Sequence, residues 1–368
     1  MTVTARWVGL SLLLALIACP SSDDGETADA RVDAAVHDTA ASETSAPDLA
    51  APDLGPPPGW NKITPQGAMP IRRTVHLMAY DPDTQRVVLV GGQPGNSAVP
   101  LGDIWAWDGT SWTELTPASG PALPPRKNFG LAYDTARKRL VVFGGIYGGL
   151  QVTPKYMNDT WEWDGQTWTD KTPASGGPSP RAGHGMAYDP SRQRVVVFGG
   201  GATGALDDTW EWDGQKWEQK ATTVQPAARY NTRMVYDEVA KQVVLFGGQA
   251  GANHGDLWSW DGTTWTELWP TSKEPLGRGF FDLAYDSVRK RVVLYGGTVT
   301  YPPNITADNI FADHWEWDGT SWSLIGDGKG PGKRSGQGMA YDAHRGCLVL
   351  FGGTASGSLY LDDTWEYR

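Results

Sequence analysis

A glycine pair followed by the pattern Asp-x-Trp-x-Trp-Asp-Gly-x-x-Trp occurs five times in this chain, and a sixth copy stops before its last Trp. The pairs begin at Gly91, Gly144, Gly199, Gly247, Gly296 and Gly352, with spacings of 53, 55, 48, 49 and 56 residues. A period of about 50 residues with a glycine pair and regularly placed aromatic residues is typical of β-propeller blades. The repeat therefore predicts an all-β fold of similar sheets arranged around one axis.

Each repeat contains four predicted β segments, which are clearest in the third copy. There they are residues 184–189, 194–200, 208–213 and a segment that begins at Trp217. The second segment is an apolar run in all six copies, which indicates a strand covered on both faces by neighbouring blades. The third segment alternates, so its two Trp side chains should lie on one face of the sheet.

The missing fourth segment of the last copy has a match at the other end of the repeat region. Residues 60–65, Trp-Asn-Lys-Ile-Thr-Pro, resemble the fourth segment Trp-Thr-Glu-Leu-Thr-Pro at 112–117. We therefore expect residues 60–65 to pair with the strand at 363–367, which would remove an exposed sheet edge. The prediction is a six-bladed propeller over residues 60–368, closed by an N-terminal fourth strand.

Two kinds of connection differ in how much their length varies. The turn between the first and second segments and the Trp-Asp-Gly-x-x-Trp turn keep one length, whereas the link from the glycine pair to the next motif Asp ranges from 7 to 15 residues. In an antiparallel four-stranded blade, the constant turns lie on one face of the disc and the variable links on the other. Variable loops on a rigid scaffold favour a binding surface on that face, and unselected drift in length is the alternative.

These features resemble the Kelch-repeat propellers, the family that includes the central domain of galactose oxidase. The resemblance covers residues 60–368 and depends on an Arg before each first strand, the glycine pair, the third-strand aromatic and the Trp that opens the fourth strand. This chain has Trp where the third-strand aromatic is more often Tyr. WD40 repeats are shorter and lack the glycine pair.

The N-terminal region predicts an anchor to the envelope of a bacterial cell. Residues 1–18 have the charge and apolar run of a signal peptide, and Leu-Ile-Ala-Cys at 16–19 resembles a lipoprotein cleavage site with lipidation at Cys19. A plain secretory signal is the alternative. Residues 19–59 are acidic and of low complexity, which predicts a disordered tether between the membrane and the propeller.

Charge and cysteine content argue against a nucleic-acid-binding protein and against a disulfide-bonded propeller. Without the 2 basic and 9 acidic residues of 1–59, the chain keeps 29 Lys and Arg against 33 Asp and Glu, a net charge of −4. This charge, with no basic stripe, argues against nucleic-acid binding. Cys347 is the only cysteine after Cys19, so no disulfide is expected within the propeller.

One Arg lies seven residues before each first-strand Tyr. The six are Arg73, Arg126, Arg181, Arg229, Arg278 and Arg334. A ring of guanidinium groups at the channel mouth could bind carboxylates or other anions, and the Kelch resemblance implies that Arg at this position can contact acidic peptides. The alternative is that each Arg pairs with a carbonyl or an Asp and holds the blades together.

The variable face also carries aromatic candidates for ligand contact on or near its long connections, residues 93–102, 146–158 and 298–312. They are Tyr147, Tyr156, Trp269 and Tyr301. Most other Trp residues occupy motif positions and are expected to pack between blades.

No constellation of residues in the sequence indicates catalysis. His76 and His184 follow two of the motif arginines by three residues, and Cys347 lies in an apolar strand that is a poor match to the copper chemistry of galactose oxidase. We therefore predict no catalytic residues, no metal site and no cofactor. The leading hypothesis is a binding module for a protein segment or a glycan on the variable face, and the rival is an extracytoplasmic hydrolase or oxidase at the channel mouth.

Overall fold

The computed structural model describes residues 59–95, 99–148, 152–299, 306–327, 330–356 and 359–368. Over these residues it forms six four-stranded antiparallel sheets, the blades of a propeller. The fold class predicted from the repeat is confirmed. The described part of the chain contains no helix with the length and apolar character of a membrane span.

The first strand of each blade is the innermost, and each one adjoins the first strands of both neighbouring blades. These strands are β2 (Leu77–Asp81), β6 (Gly130–Asp134), β10 (Gly185–Asp189), β14 (Arg233–Asp237), β18 (Asp282–Asp286) and β22 (Gly338–Asp342).

The second strands are buried along nearly their whole length, as the apolar runs predicted. They are β3 (Arg86–Gly92), β7 (Arg139–Tyr147), β11 (Arg194–Phe198), β15 (Gln242–Phe246), β19 (Arg291–Tyr295) and β23 (Cys347–Phe351).

The third and fourth strands complete the blades on the outside. The third strands are β4 (Leu101–Trp107), β8 (Lys155–Trp163), β12 (Thr209–Trp212), β16 (Leu257–Trp260), β20 (Asp313–Trp317) and β26 (Thr364–Tyr367). The fourth strands are β5 (Trp112–Glu114), β9 (Trp168–Asp170), β13 (Trp217–Lys220), β17 (Trp265–Leu268), β21 (Trp322–Asp327) and β1 (Trp60–Ile63). A small hairpin of β24 (Thr354–Ser356) and β25 (Leu359–Tyr360) and a 3-10 helix, Ala307–Asn309, lie in two of the variable links.

The ring closes through the N-terminal strand, as the sequence predicted. Trp60 pairs with Tyr367 and Ile63 with Thr364 in the last blade. The Trp60 ring packs between blades, 5.1 Å from the Tyr295 ring and 5.3 Å from that of Tyr367, measured between centroids. The first and last segments of the propeller are therefore neighbours in one sheet.

The hydrophobic core is divided among the junctions between blades. Six apolar clusters are found in the described residues, and each contains side chains from two adjacent blades. The junction of the first two blades, for example, brings Val88 and Ile104 against Leu131 and Trp163. No blade buries its apolar faces alone, so blade packing is the main source of stability.

Candidate functional site

The six motif arginines are buried at the inner ends of the variable links. Their exposed fractions are 0 to 1%. Arg181 is representative: Nη1 and Nη2 donate to the two carboxylate oxygens of Asp208 at 2.6 and 2.8 Å, and Nη1 also donates to the Gly199 carbonyl at 3.0 Å. Each guanidinium is thus bound bidentately to an Asp and to the first glycine of the pair in its own blade.

All six blades repeat this arrangement. The Arg–Asp pairs are Arg73–Asp103, Arg126–Asp159, Arg181–Asp208, Arg229–Asp256, Arg278–Asp313 and Arg334–Asp363. The same Asp accepts a hydrogen bond from the first Trp of the third strand, for example Trp210 Nε1 to Asp208 at 2.7 Å. The Asp of the Asp-x-Trp motif is therefore a carboxylate that accepts hydrogen bonds from two fixed side chains, the motif Arg and the first Trp of the third strand.

This geometry corrects the prediction that the arginines form an anion-binding ring. Their charges are compensated and their side chains have almost no exposed surface with which to meet a ligand, so the alternative interpretation, pairing with a carbonyl and an Asp, is the one that fits. Both partners lie in the same blade as the Arg, so each ion pair braces a single blade and does not join two. The burial of Asp208 acts to raise its pKa, but the hydrogen bonds and charge of Arg181 outweigh burial and hold the pKa below its usual range.

The loops that follow the arginines meet around the channel axis. The second residue after each Arg has a left-handed backbone, with φ between 51° and 69°; these residues are Val75, Asn128, Gly183, Asn231, Phe280 and Gly336. Five backbone hydrogen bonds link them in one direction around the axis, including Val75 N to Gly336 O at 2.6 Å and Gly183 N to Asn128 O at 2.8 Å. Val75 and Phe280 are costly in this conformation, which indicates that the ring imposes it.

The residue directly after each Arg precedes the ring residue, and these six residues are called the rim. It pairs as an isolated bridge with the residue after the glycine pair: Thr74–Gln93, Lys127–Ile146, Ala182–Gly201, Tyr230–Gln249, Gly279–Thr298 and Ser335–Thr354. The rim residues differ in every blade while the preceding Arg does not, so they can give this face of the propeller its chemical character. No sequence pattern marks them, because each differs from its counterparts.

Lys127 is the cation that this rim contributes. Its Nζ donates to the amide oxygen of Gln93 at 2.8 Å, and burial lowers the pKa of Lys127 below its usual value. No carboxylate of the described residues forms a salt bridge with it. Lys127 is thus a partly buried ammonium whose hydrogen-bond partner is neutral.

The predicted aromatic contacts lie at three separate places. Tyr147 and Tyr156 are half-buried on the extension of strands β7 and β8, which pair there through Ile146–Tyr156 and Tyr147–Lys155. Trp269 is 77% exposed on the connection after β17. Tyr301 and the predicted lipidation site Cys19 lie outside the described residues.

A cavity of about 80 Å³ occupies the channel inside the first strands. Its wall is largely Met and Leu side chains, with Arg233, Asp282 and His184 as the polar members. Arg233 Nε donates to Asp282 at 3.2 Å, and two backbone amides, of Leu283 and Met339, donate to the same carboxylate. Burial raises the pKa of Asp282 to about 6, although Arg233 acts in the opposite direction.

His76, His184 and Cys347 are buried side chains in the interior of the propeller. His76 and His184 are buried, and desolvation lowers the pKa of both rings. Cys347 is buried in β23, and burial raises its pKa to about 12, which makes it a weak nucleophile. Among the described residues, no group of three His, Cys, Asp or Glu is placed to hold a metal ion.

Comparison with known proteins gives a family, partial relatives and a solved structure. A family model described as the KLHDC2/KLHL20/DRC7 Kelch-repeats domain matches residues 57–225 and 110–297. The chain is similar to Mei4-dependent protein 6 of Schizosaccharomyces pombe, with 30% identity over 139 residues, 35% of this chain and 19% of that protein. It is also similar to dynein regulatory complex subunit 7 of Chlamydomonas reinhardtii, with 30% identity over 120 residues, 32% of this chain and 10% of that protein.

Among solved structures, one titled "Structure of YjhT" superimposes with a TM-score of 0.59 at 16% identity, covering 80% of this chain and 95% of the other. At this identity the likeness shows the fold alone. The alignments span a fifth or less of the length of the two curated relatives.

Proposed function

Because the chain belongs to the family described as the KLHDC2/KLHL20/DRC7 Kelch-repeats domain, we propose that it is a non-catalytic module that binds a protein segment on its variable-loop face. The observation that supports this most is Lys127, an ammonium that forms no salt bridge with a carboxylate of the described residues. The proposed ligand group is a carboxylate, carried by an acidic side chain or by a chain terminus.

The electrostatics of the rim support an anionic ligand. The motif arginines are compensated by their Asp partners, and among the six residues that directly follow them Lys127 is the cation. A partly desolvated ammonium whose hydrogen bond within the described residues goes to the neutral Gln93 amide gains from a carboxylate, because charge-assisted hydrogen bonds are stronger than neutral ones. A partner carboxylate would also restore the pKa that burial lowers.

The shape of the same face supports a polypeptide ligand. The β7–β8 extension, which carries Tyr147 and Tyr156, belongs to the same blade as Lys127, and Tyr230 lies on the rim two blades away. Tyrosines supply large contact area together with a hydrogen-bonding group, which suits recognition of an extended segment. The backbone ring beneath provides a floor, so the ligand would lie across the mouth.

Replacing Lys127 by Met is expected to weaken binding of such a segment about tenfold or more, because a hydrogen bond to a charged group contributes about 1.5–3 kcal/mol. A peptide selected from a random library with free C-termini would serve as the probe, and fluorescence anisotropy at several salt concentrations would give its affinity. Lys62→Met, which removes an exposed Lys on the outermost strand β1, is the matched control. Equal affinity of Lys127→Met and Lys62→Met would refute the proposed site. Failure of the library to yield a binding peptide would refute the proposed ligand class.

We further propose that the module is held at the bacterial cell envelope through lipidated Cys19, with residues 19–59 as its tether. The motif at 16–19 and the composition of the following segment support this proposal.

Replacing Cys19 by Ala in the full chain is expected to abolish incorporation of labelled fatty acid and to move the protein from the membrane fraction to the soluble one. Fractionation and metabolic labelling in a bacterial host measure both effects. Cys347→Ala, which changes the buried cysteine of β23, should leave labelling intact. Persistent labelling of Cys19→Ala would rule the anchor out.

A further inference from the structure

A second set of arginines lies on the opposite face of the disc, in the constant turns between the first and second strands. In four blades the third residue after the turn Asp is Arg: Arg137, Arg192, Arg289 and Arg345. Arg192 shows the arrangement. Its Nε donates to Asp189 at 2.7 Å and its Nη1 to Glu211 of the third strand at 2.5 Å.

The same guanidinium reaches the next blade. A Cβ at Gly262, in the Asp-Gly turn of the following blade, would lie 2.5 Å from an Arg192 nitrogen, and Trp260 of that blade donates its indole N–H to Glu211 at 2.8 Å. The corresponding contacts recur at Gly214 with Arg137 and at Gly109 with Arg345. An Arg–Asp–Glu cluster with buried carboxylates and a partly exposed Arg therefore joins neighbouring blades at the constant-turn face.

The first blade lacks both the Arg and the Glu of this cluster. Thr84 occupies the Arg position and Ala106 the Glu position, while the turn Asp, Asp81, is retained. The fourth blade shows the same paired loss, with Ala240 and Ser259. Since Arg and Glu are lost together, no Glu is left without its Arg, but the turn Asp remains without the Arg that its counterparts bind.

The loss leaves an open space at the junction of the first and second blades. No atom lies within 4 Å of a Cβ placed on Gly165, the counterpart of Gly262. A cavity of about 190 Å³ is present there, lined by Asp81, Thr84, Tyr133, Trp163 and Gly165 among others.

Two groups in this cavity lack the partner that their counterparts have. Asp81 is 8% exposed and accepts hydrogen bonds from Asp83 N, Thr84 N and Thr84 Oγ1. The Tyr133 hydroxyl and the charge of Lys138 also act on it, but Lys138 is bound to Asp83, and no described cation forms a salt bridge with Asp81. The counterparts of Asp81 in the four Arg-bearing blades each bind an Arg at 2.6–2.8 Å. Trp163 is 4% exposed, and no described residue accepts a hydrogen bond from its indole N–H, because Ala106 stands where Glu would accept it.

The remaining charges around the cavity are compatible with a cationic ligand. Lys138 is paired with Asp83 at 2.6 Å, and Tyr133 donates its hydroxyl to the same Asp83 at 2.6 Å. Arg139 also lines the cavity. The counterpart of Arg139 in the third blade is Arg194, next to the junction of the second and third blades. That junction also holds the Arg137 guanidinium, so an Arg at this position is compatible with a guanidinium between the blades.

We propose that the junction of the first and second blades is a guanidinium-binding site, in which an arginine or a related ligand from outside takes the place of the arginine that four other blades supply from their own turns. The guanidinium would donate to Asp81 and lie over Gly165. A carbonyl or carboxylate oxygen of the same ligand would accept from Trp163. Compact guanidinium compounds and arginine side chains of other proteins share this chemistry.

Titration of the full chain with N-acetyl-arginine amide tests the proposal, with N-acetyl-citrulline amide as the neutral control of the same shape. Calorimetry should show saturable binding of the arginine compound and at least tenfold weaker binding of citrulline, because the charge-assisted bond is lost. In ¹H–¹⁵N spectra, the indole signal assigned by Trp163→Phe should shift during the arginine titration. Agmatine, which has the guanidinium but no peptide groups, distinguishes the two sources of the ligand. An affinity equal to that of N-acetyl-arginine amide indicates a free small molecule, and a weaker affinity indicates an arginine within a polypeptide. Equal binding of citrulline, or an unmoved Trp163 signal, would overturn the proposal.

The double substitution Thr84→Arg with Ala106→Glu restores the Arg and the Glu that four other blades have. It should abolish binding of the arginine compound while leaving the circular dichroism spectrum unchanged. Ala240→Arg with Ser259→Glu makes the same change at the fourth blade and should leave binding to the first junction intact. If the first variant binds as the wild type does, or if only the second loses binding, the assigned location is wrong. The Trp163 signal of the wild-type protein tests the site even if a variant fails to fold.

Discussion

Replacing Arg181 by Ala is expected to lower the free energy of unfolding by about 3 kcal/mol, at the lower end of the range for breaking a buried ion pair. The change removes the bidentate bond to Asp208 and the bond to the Gly199 carbonyl, and it leaves a largely buried carboxylate without its counter-ion. Lys at this position should recover only part of the loss, because a point charge cannot form the bidentate pair. Chemical denaturation of the full chain measures the effect.

The pH dependence of this loss follows from the depressed pKa of Asp208. A carboxyl group whose pKa is lower in the folded state stabilises the protein above its unfolded pKa, about 3.9, and this contribution disappears as the pH falls through the folded value. The stability difference between wild type and Arg181→Ala should therefore be largest near neutral pH and shrink below about pH 4.

Arg194→Ala is the control for this prediction. Arg194 lies in the same blade and donates only to carbonyls of its own turn, so its loss should change stability by about 0.5 kcal/mol or less. If Arg181→Ala were as stable as Arg194→Ala, the motif arginines would not brace the blades, and a role in ligand binding would have to be reconsidered.

Deleting residues 59–63 is expected to destabilise the whole propeller, with a loss that takes up much of the roughly 5–15 kcal/mol available to a folded domain. The deletion removes strand β1 from the last blade and exposes the edge of β26. It also removes the partly buried Trp60 from its contacts with Tyr295 and Tyr367, which adds a loss at or below the lower end of the roughly 3–5 kcal/mol for a fully buried Trp.

Thermal unfolding followed by circular dichroism tests this closure, with Trp60→Ala as a milder variant. Trp269→Ala removes the same side chain from an exposed position and should leave the melting temperature nearly unchanged. An unaltered melting temperature in the deletion variant would show that β1 contributes nothing to the ring.

The sequence predicted the fold well because its signals are local and repeated. The glycine pairs, the apolar second strands and the Asp-Gly turns each report on a few neighbouring residues, and six copies allow each signal to be checked against the others. The closure by residues 60–63 could also be read, since the missing strand and its replacement carry the same Trp-centred pattern.

The candidate sites could not be read in this way, because a residue type does not state which partner it meets. Six regularly spaced arginines looked like a cationic ring, yet each has an Asp 27 to 35 residues later that neutralises it. Only the register of the first three strands places these groups together. Lys127 received no attention in the sequence, since a single Lys in a variable position gives no signal until the fold places it at the channel mouth beside Gln93.

What the sequence determined by itself is the architecture: six blades, their strand order, the two kinds of connection and the strand that closes the ring. These follow from periodicity and from the conformational preferences of short segments. What only the tertiary structure decided is which charges are compensated. Arg181 pairs with Asp208 within its blade, Arg192 contacts Glu211 and Gly262, and Asp81 forms no salt bridge with a described cation, because charge compensation depends on distances between segments that the sequence does not contain.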